Sequence, residues 1–418
     1  MENVLVMIMA GGVGQRLRPL TSERAKSSVP FGGKYQLIDF TLSNCVNSGM
    51  RQIFVLTQYR ASTLHNHIQE GWHISSSGLG DFIYCVPAQQ KLGADWYQGT
   101  ADAVRQNLDL LKDRKVEHVL ILSGDHVYKM NYLQMANYHE AKNAGLTIAS
   151  VRVKKEEAAN RLGVLVADPD HGITGFEEKP AEPKIIPDSP DETLVSMGIY
   201  LFEVDALREA LQGTESDFGK EVIPRMLSKG HNLFVYDYQK ENKIEDYIFN
   251  VTDGKRKKTL VARTRDSSYW KDVGTLDSYH EASMNLVGVD PLFNLYGEKW
   301  PIRTYQQTLP PSKCILGGRT PESMMCDGCI VSGGTVWRSI ISPGVVVERN
   351  AHVEESVIFD DVAIEPHTRV RRAIVDKNAR IDAYASVGYD REKDIRRGCI
   401  ISDGGIVVVP RGKEIKPD

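Results

Sequence analysis

Long apolar runs are what this sequence most plainly lacks. No segment reaches the ~20 consecutive apolar residues that a bilayer-spanning helix requires. Gly11 and Gly12 cut short the apolar run near the start, so neither a membrane span nor a secretory leader is expected. Cysteine is also scarce: six in 418 residues, without regular spacing, argue against a disulfide framework and for reduced thiols in a cytoplasm. The one C-x-x-C, Cys326 and Cys329, has no second pair to complete a zinc site and reads as structural. Nor is there an excess of positive charge. A formal net charge of −4 gives no footing for a nucleic-acid or acidic-membrane partner, so anionic ligands must be held by local clusters of cations.

What is present is an ordinary globular composition, 41% hydrophobic and 25% charged, in a chain long enough for two domains. Its most informative stretch is AGGVGQRLRPLTSERAKSSVPFGGK, residues 10–34, which follows the apolar run VLVMIM at 4–9. A buried strand ending in glycines gathers backbone N–H groups at one point, and such a nest binds phosphate oxygens. Arg16, Arg18, Arg24 and Lys26 add four nearby cations, which together suggest a polyphosphate site. Two commoner glycine loops are excluded. No Lys-Ser/Thr pair follows the glycines as a P-loop requires, and Leu17 stands where the third glycine of G-x-G-x-x-G belongs.

The first two-thirds alternate short apolar runs with helical patterns, which predicts an α/β domain with a largely parallel sheet. Strands are expected at 52–58, 118–125, 146–153 and 163–168, and helices at 40–50, 99–113 and 131–145. In such sheets ligands lie beyond the carboxyl ends of the strands, where Gly11 and Asp125 fall. The last third obeys another rule. Apolar residues recur at Met324, Ile330, Val336; Ile341, Val347, Val353; Ile358, Ile364, Val370; and Val375, Ile381, Val387, with Ile341, Ile358 and Val375 each 17 apart. Ser339, Ser356 and Ala373 keep the same interval. Neither a helix nor a meander gives that spacing; a hexapeptide-type parallel β-helix does. The proline-rich stretch 300–313 reads as a linker.

Asp125, in LSGDHVY, ends a strong apolar strand and reads either as a turn aspartate or as a ligand for a hard divalent cation beside phosphates. Asp272, in YWKDVGT, is a second such carboxylate, and the two with triphosphate oxygens would complete a Mg²⁺ site. In FEEKPAEP, Pro180 is expected to keep Lys179 extended, and an ammonium so held suits a phosphate monoester. Glu178 could accept from sugar hydroxyls; a solvated charge run is the alternative. Ser196, in SMGIYLF, offers a hydroxyl at the start of a buried strand.

The ordered series AGGVGQRL, RAKSSVPFGGKY, DFTLSNCVNSG, WYQGTADAV, GDHVY, FEEKP, SMGIY, DFGKEVIP, YWKDVGT, WPIRTY and SGGTV closely resembles bacterial and plant glucose-1-phosphate adenylyltransferases (ADP-glucose pyrophosphorylases) over nearly the whole chain. The resemblance implies a Rossmann-like nucleotidyltransferase domain at 1–299, a linker at 300–313, and a left-handed parallel β-helix at 314–418 serving oligomerisation and regulation. It implies transfer of the adenylyl group of ATP to α-glucose 1-phosphate, with Mg²⁺ as cofactor, in a cytoplasmic homotetramer. On the matching positions, Arg16 would hold the β/γ-phosphates and Lys26 the α-phosphate, with Asp125 the third catalytic group. Ala10, Gly11, Gly12, Gly14, Gln89, Gln90, Trp96, Tyr97, Gly99 and Thr100 would surround ATP. Gly163, Glu178, Lys179, Ser196 and Asp272 would bind the sugar phosphate, and Asp125 and Asp272 the metal.

Departures from the family pattern point to regulation. Ser27 and Ser28 replace Pro-Ala and are expected to loosen the loop that presents Lys26. Glu23 and Gln36 stand where cations are usual, so a candidate effector region of Glu23, Arg24, Gln36, Arg369, Arg371 and Arg372 is expected to respond weakly to phosphorylated effectors. The stretch 239–268, with KRKK at 255–258, reads as a solvated insertion. Two other function classes stand beside the active enzyme. One is a regulatory partner subunit without catalysis, which retention of Arg16, Lys26, Asp125, Lys179 and Asp272 argues against. The other is a β-helix acyltransferase, for which His352 and His367 are the isolated histidines available.

Overall fold

The structure, a computed structural model, describes residues 3–73, 78, 80–89, 96–112, 114–187, 189–252 and 254–417. Alternate residues of the strand Val4–Met9 enter two different cores: Val4, Val6 and Ile8 one, Leu5 and Met7 the other. A strand apolar on both faces must be covered on both, and this one lies in the middle of a nine-stranded sheet. It pairs in parallel with Gln52–Thr57 and His118–Ser123, and Gln52–Thr57 pairs in parallel with Phe82–Pro87. The long strand Glu192–Glu203 runs antiparallel to His118–Ser123, Leu146–Lys154 and Gly163–Ala167. The parallel order expected from the sequence thus belongs to the half that carries the glycine loop.

Two of the three expected helices are shorter than their patterns suggested, and the other is shifted. The first spans Leu37–Asn47, starting earlier because Asp39 Oδ2 accepts from Gln36 N (2.8 Å) and fixes the first turn. The run at 99–113 yields a helix Thr100–Arg105 and then a 3₁₀ turn Leu108–Leu111. The insertion forms an antiparallel hairpin, Asp246–Thr252 with Lys255–Val261, whose basic run is exposed and tied to the body through Lys258 and Glu298 (2.5 Å). Among the described residues no helix is long and apolar enough to cross a membrane.

From Lys313 onward short parallel strands stack into three sheets, the arrangement of a left-handed β-helix. Val336, Val353, Val370 and Val387 form one inward column, and Ile341, Ile358 and Val375 another. In the first coil the inward residues are Met325 and Val331, not Met324 and Ile330. That coil is one residue short of the 17-residue repeat, which flips each side chain to the other face. Coil corners recur as left-handed residues, for instance Arg338, Glu355 and Arg372 at φ 45, 44 and 45°. The serine column is a hydrogen-bond ladder: Ser339 Oγ accepts from Ser356 N (3.0 Å), and Ser356 Oγ from Ala373 N (3.1 Å). His352 and His367 are both exposed, and His367 stacks on Tyr384.

The linker is docked rather than free. Trp300 is buried and donates through Nε1 to Asn44 Oδ1 (2.9 Å), and Arg303 donates to Asn47 Oδ1 (2.7 Å), both on the Leu37–Asn47 helix. The two domains share a core in which Leu17, Leu20, Val29 and Phe31 of the glycine-loop segment meet Ile340, Val357, Ile374 and Val408 of the β-helix. Burying this apolar surface ties the loop's position to the second domain.

Candidate active site

The glycine loop folds back on itself. Gly14 is left-handed (φ 64°), and a Cβ there would stand 2.9 Å from Thr21 Cγ2 and 3.0 Å from Lys26 Cβ, so only glycine fits. Thr21 Oγ1 closes the turn by donating to Gly14 O (2.8 Å). Ala10 N is bonded to Leu56 O (2.9 Å), whereas the N–H groups of residues 11–16 have no partner among the described residues. Unpaired donors at a strand end form the nest that phosphate oxygens require. Arg16 and Arg18 are exposed beside it. Arg24 is not: its guanidinium is buried against Asp376 of the β-helix at 2.8 Å, so it cannot serve the nest as the sequence suggested. Ser27 and Ser28 are buried in the 3₁₀ turn Lys26–Ser28, the Ser28 hydroxyl without a partner among the described residues.

Three charges from distant segments converge next to the nest. Lys26 Nζ lies 2.7 Å from Asp125 Oδ2 and 3.2 Å from Asp272 Oδ1. Asp125 sits in the turn between His118–Ser123 and His126–Tyr128, and Trp270–Asp272 pairs with the latter so that Asp272 stands opposite His126. Burial alone would lower the Lys26 ammonium, but the two carboxylates overcome it and hold it above the lysine range. Burial would likewise raise Asp125, yet Lys26 and then His126 hold its carboxyl well below the usual range. Ser123 Oγ donates to Asp125 Oδ1, and His126 Nε2 lies 3.5 Å from that oxygen. Among the described residues no group of three or more His, Cys, Asp and Glu could hold a metal by itself. Two carboxylates already sharing one cation fit a metal completed by ligand oxygens.

A second cluster lies on the antiparallel half. Gly163 is paired with Glu178, and a Cβ at Gly163 would come within 3.0 Å of Glu178 Oε2. Gly219, which sequence reasoning missed, plays the same part from the other side, since a Cβ there would come within 2.7 Å of that oxygen. Lys179 Nζ pairs with Glu178 Oε1 at 2.9 Å. Its backbone is left-handed (φ 50°) rather than extended, a correction to the expectation; both conformations escape the helical region that Pro180 disfavours. Ser196 lies at an irregularity in Glu192–Glu203, where Gly198 N donates to its Oγ (3.2 Å). Gly198 in turn abuts His126 and Ser123, its ideal Cβ 3.9 Å from each, so the second cluster faces the carboxylate turn. Sequence reasoning also missed Ser123 and His126, neighbours of Asp125 in the chain, and Gly198, which meets them only through the packing of remote segments.

The third group flanks the nest. Gln89 and Trp96 are exposed, and Gln90 lies outside the described residues. Tyr97 is half-buried, its hydroxyl accepting from Asn107 Nδ2 (2.8 Å), and Gln58 Nε2 beside Gly11 donates to Tyr97 O (3.4 Å). Gly99 touches the Ser216 carbonyl so closely that a Cβ would stand 2.3 Å from it, and Thr100 Oγ1 accepts from Phe218 N (3.3 Å).

The candidate effector residues do not converge. Glu23 pairs with Arg411 (3.4 Å), Arg24 with Asp376, and Gln36 starts a helix. Arg369 and Arg371 lie over Tyr389, while Arg372 lines a groove that also contains Arg16.

Both parts of the chain match known families. The nucleotidyl transferase family matches residues 5–288, and a GlmU-like, C-terminal hexapeptide family matches 310–409. A glucose-1-phosphate adenylyltransferase of Rhodopirellula baltica is 44% identical over 99% of this chain and 91% of its own length. One from Corynebacterium jeikeium is 44% identical over 99% and 98%, and a second-numbered one from Vibrio cholerae 42% identical over the full length of both.

Proposed function

The chain belongs to the glucose-1-phosphate adenylyltransferases, and on that premise we propose how its residues divide the work. The enzyme transfers the adenylyl group of ATP to α-D-glucose 1-phosphate, giving ADP-glucose and pyrophosphate. The observation that carries the site assignment is the meeting of Lys26, Asp125 and Asp272 beside a nest of unpaired N–H groups.

The sugar phosphate oxygen attacks the α-phosphorus in line, and no covalent nucleophile is needed. Catalysis of this kind rests on positioning and charge neutralisation. Gly11, Gly12 and Gly14 offer N–H groups to the phosphates, Arg16 takes the β/γ end, and Lys26 moves from its carboxylates to the α-phosphate. Asp125 and Asp272, relieved of Lys26, would hold Mg²⁺, which would supply neutralisation of phosphate charge. Lys179 binds the phosphate of the sugar, while Glu178 accepts from its hydroxyls in the room left by Gly163 and Gly219. Ser196 lies at the same edge. Gln89, Trp96, Tyr97, Gly99 and Thr100 surround the adenosine.

The β-helix is the surface proposed for homotetramer assembly, its shared core with the catalytic domain supports a route by which effector binding reaches the loop, and the scarcity of cysteine supports a cytoplasmic location. Phosphorylated effectors act weakly here, because Glu23 already occupies Arg411. Pyrophosphate release from ATP with glucose 1-phosphate, dependent on Mg²⁺, tests the reading; absence of turnover in the purified chain would favour the regulatory-subunit alternative.

A further inference from the structure

The hairpin of Asp246–Thr252 with Lys255–Val261 is a two-stranded sheet of its own, and its two edges are unlike. The strand Lys255–Val261 opens with four cations, and lysine on an edge guards it against pairing with another chain. The strand Asp246–Thr252 has no such guard. Its one charged residue, Asp246, is buried and accepts from Glu298 N (3.0 Å) and Lys299 N (3.1 Å), so the strand is neutral from Tyr247 on. Phe249 and Val251 lie on one face of it, 47% and 75% exposed, and Ile248 on the other face is exposed as well. In an antiparallel pair only alternate residues bond to the partner strand. Apart from Tyr247 N, which donates to Asp246 Oδ1 (2.7 Å), the backbone groups of 247–252 that face away from Lys255–Val261 have no hydrogen-bond partner among the described residues.

A two-stranded ribbon is marginally stable, and further strands over an apolar face stabilise it. What a neutral, apolar edge accepts is a strand of the same kind, and the chain supplies one in a second copy of itself. Two copies meeting antiparallel about a two-fold axis normal to the sheet give four strands, with Phe249 and Val251 of both on a single face. The basic strands then become the outer edges, three strand spacings or roughly 14 Å apart, beyond the screening length of about 8–10 Å. Repulsion between them is therefore small, and the guarded edges stop further growth, so the assembly closes at two. We propose that residues 247–252 form a self-association edge, which pairs with the same strand of a second copy of this chain.

The test is sedimentation velocity of the full-length chain from about 1 to about 100 μM, a range suited to the weak interface that one strand pair makes. The variant Phe249→Lys/Val251→Lys puts the missing guard on the neutral edge at two exposed positions, so the fold is kept. At the highest concentration its weight-average mass should be about half that of the unaltered chain. Lys255→Thr/Lys257→Thr, which unguards the other edge, should instead give particles heavier than the unaltered chain. Amide exchange of 247–252 should be about tenfold or more slower in the unaltered chain than in Phe249→Lys/Val251→Lys. Equal masses for those two at every concentration overturn the proposal. So does a halved mass with equal exchange at 247–252, which would place the contact elsewhere. A fall in mass in Lys255→Thr/Lys257→Thr also overturns it, in favour of an acidic surface docking on the basic strand.

Discussion

Arg24 donates to Asp376 Oδ1 across 2.8 Å, with the two side chains only 4% and 2% exposed, and thereby joins the phosphate-loop segment to the β-helix. A buried ion pair contributes little beyond what apolar residues would, but breaking it strands a charge. Asp376→Ala should therefore destabilise the protein by about 3–5 kcal/mol in urea unfolding. The double variant Arg24→Met/Asp376→Leu should lose much less, and equal losses would contradict the stranded-charge account.

Asp125→Asn keeps the shape of the turn but removes the charge opposite Lys26. Turnover is expected to fall about a hundredfold to a thousandfold with little change in either KM, as for loss of one preorganised electrostatic contact. Steady-state kinetics check this, and near-normal kcat would refute the role.

Lys179→Ala removes an ammonium that, among the described residues, reaches only Glu178. The KM for glucose 1-phosphate should rise about tenfold or more while kcat changes less, because binding common to ground and transition states is lost. An unchanged KM would place the sugar phosphate elsewhere.

Gly99→Ala forces a Cβ to 2.3 Å from Ser216 O, although the backbone there is extended and allows any residue. Overpacking should cost about 1–3 kcal/mol and raise the KM for ATP by displacing the Trp96–Thr100 segment. Gly12→Ala enters open space and serves as the stability control. Equal unfolding midpoints for the two variants would contradict the steric account.

His139 is buried, with Nε2 lacking a partner among the described residues, and burial together with neighbouring His118 lowers its pKa to about 3. The unfolded chain binds a proton there below pH ~6.5 while the folded one does not. This contribution is present above pH ~6.5 and is lost as pH falls, by about 1.4 kcal/mol per pH unit. Urea unfolding at pH 7 and pH 5 should show a smaller loss for His139→Gln than for the unaltered protein, and parallel losses would show that His139 protonates freely.

Much of this was legible in the residues. The strand ending in glycines fixed the nest, the apolar strand before Asp125 marked it as a residue leaving a core, and the aromatic, glycine-bounded turn YWKDVGT marked Asp272. The 17-residue repeat marked the β-helix, although one missing residue in the first coil hid the inward roles of Met325 and Val331. Arg24 was misread because nearness along the chain says nothing about the side on which a guanidinium is buried. Lys26 between two carboxylates, and Gly219 against Glu178, arise from segments far apart in sequence, and no local pattern encodes such meetings.

The most direct test of the account is the simultaneous release of pyrophosphate and ADP-glucose from ATP and α-glucose 1-phosphate by the purified chain, with and without Mg²⁺. One pyrophosphate per ADP-glucose, dependent on Mg²⁺ and nearly abolished in Asp125→Asn, is the predicted result. Pyrophosphate released without the sugar phosphate, or undiminished turnover in Asp125→Asn, would contradict it.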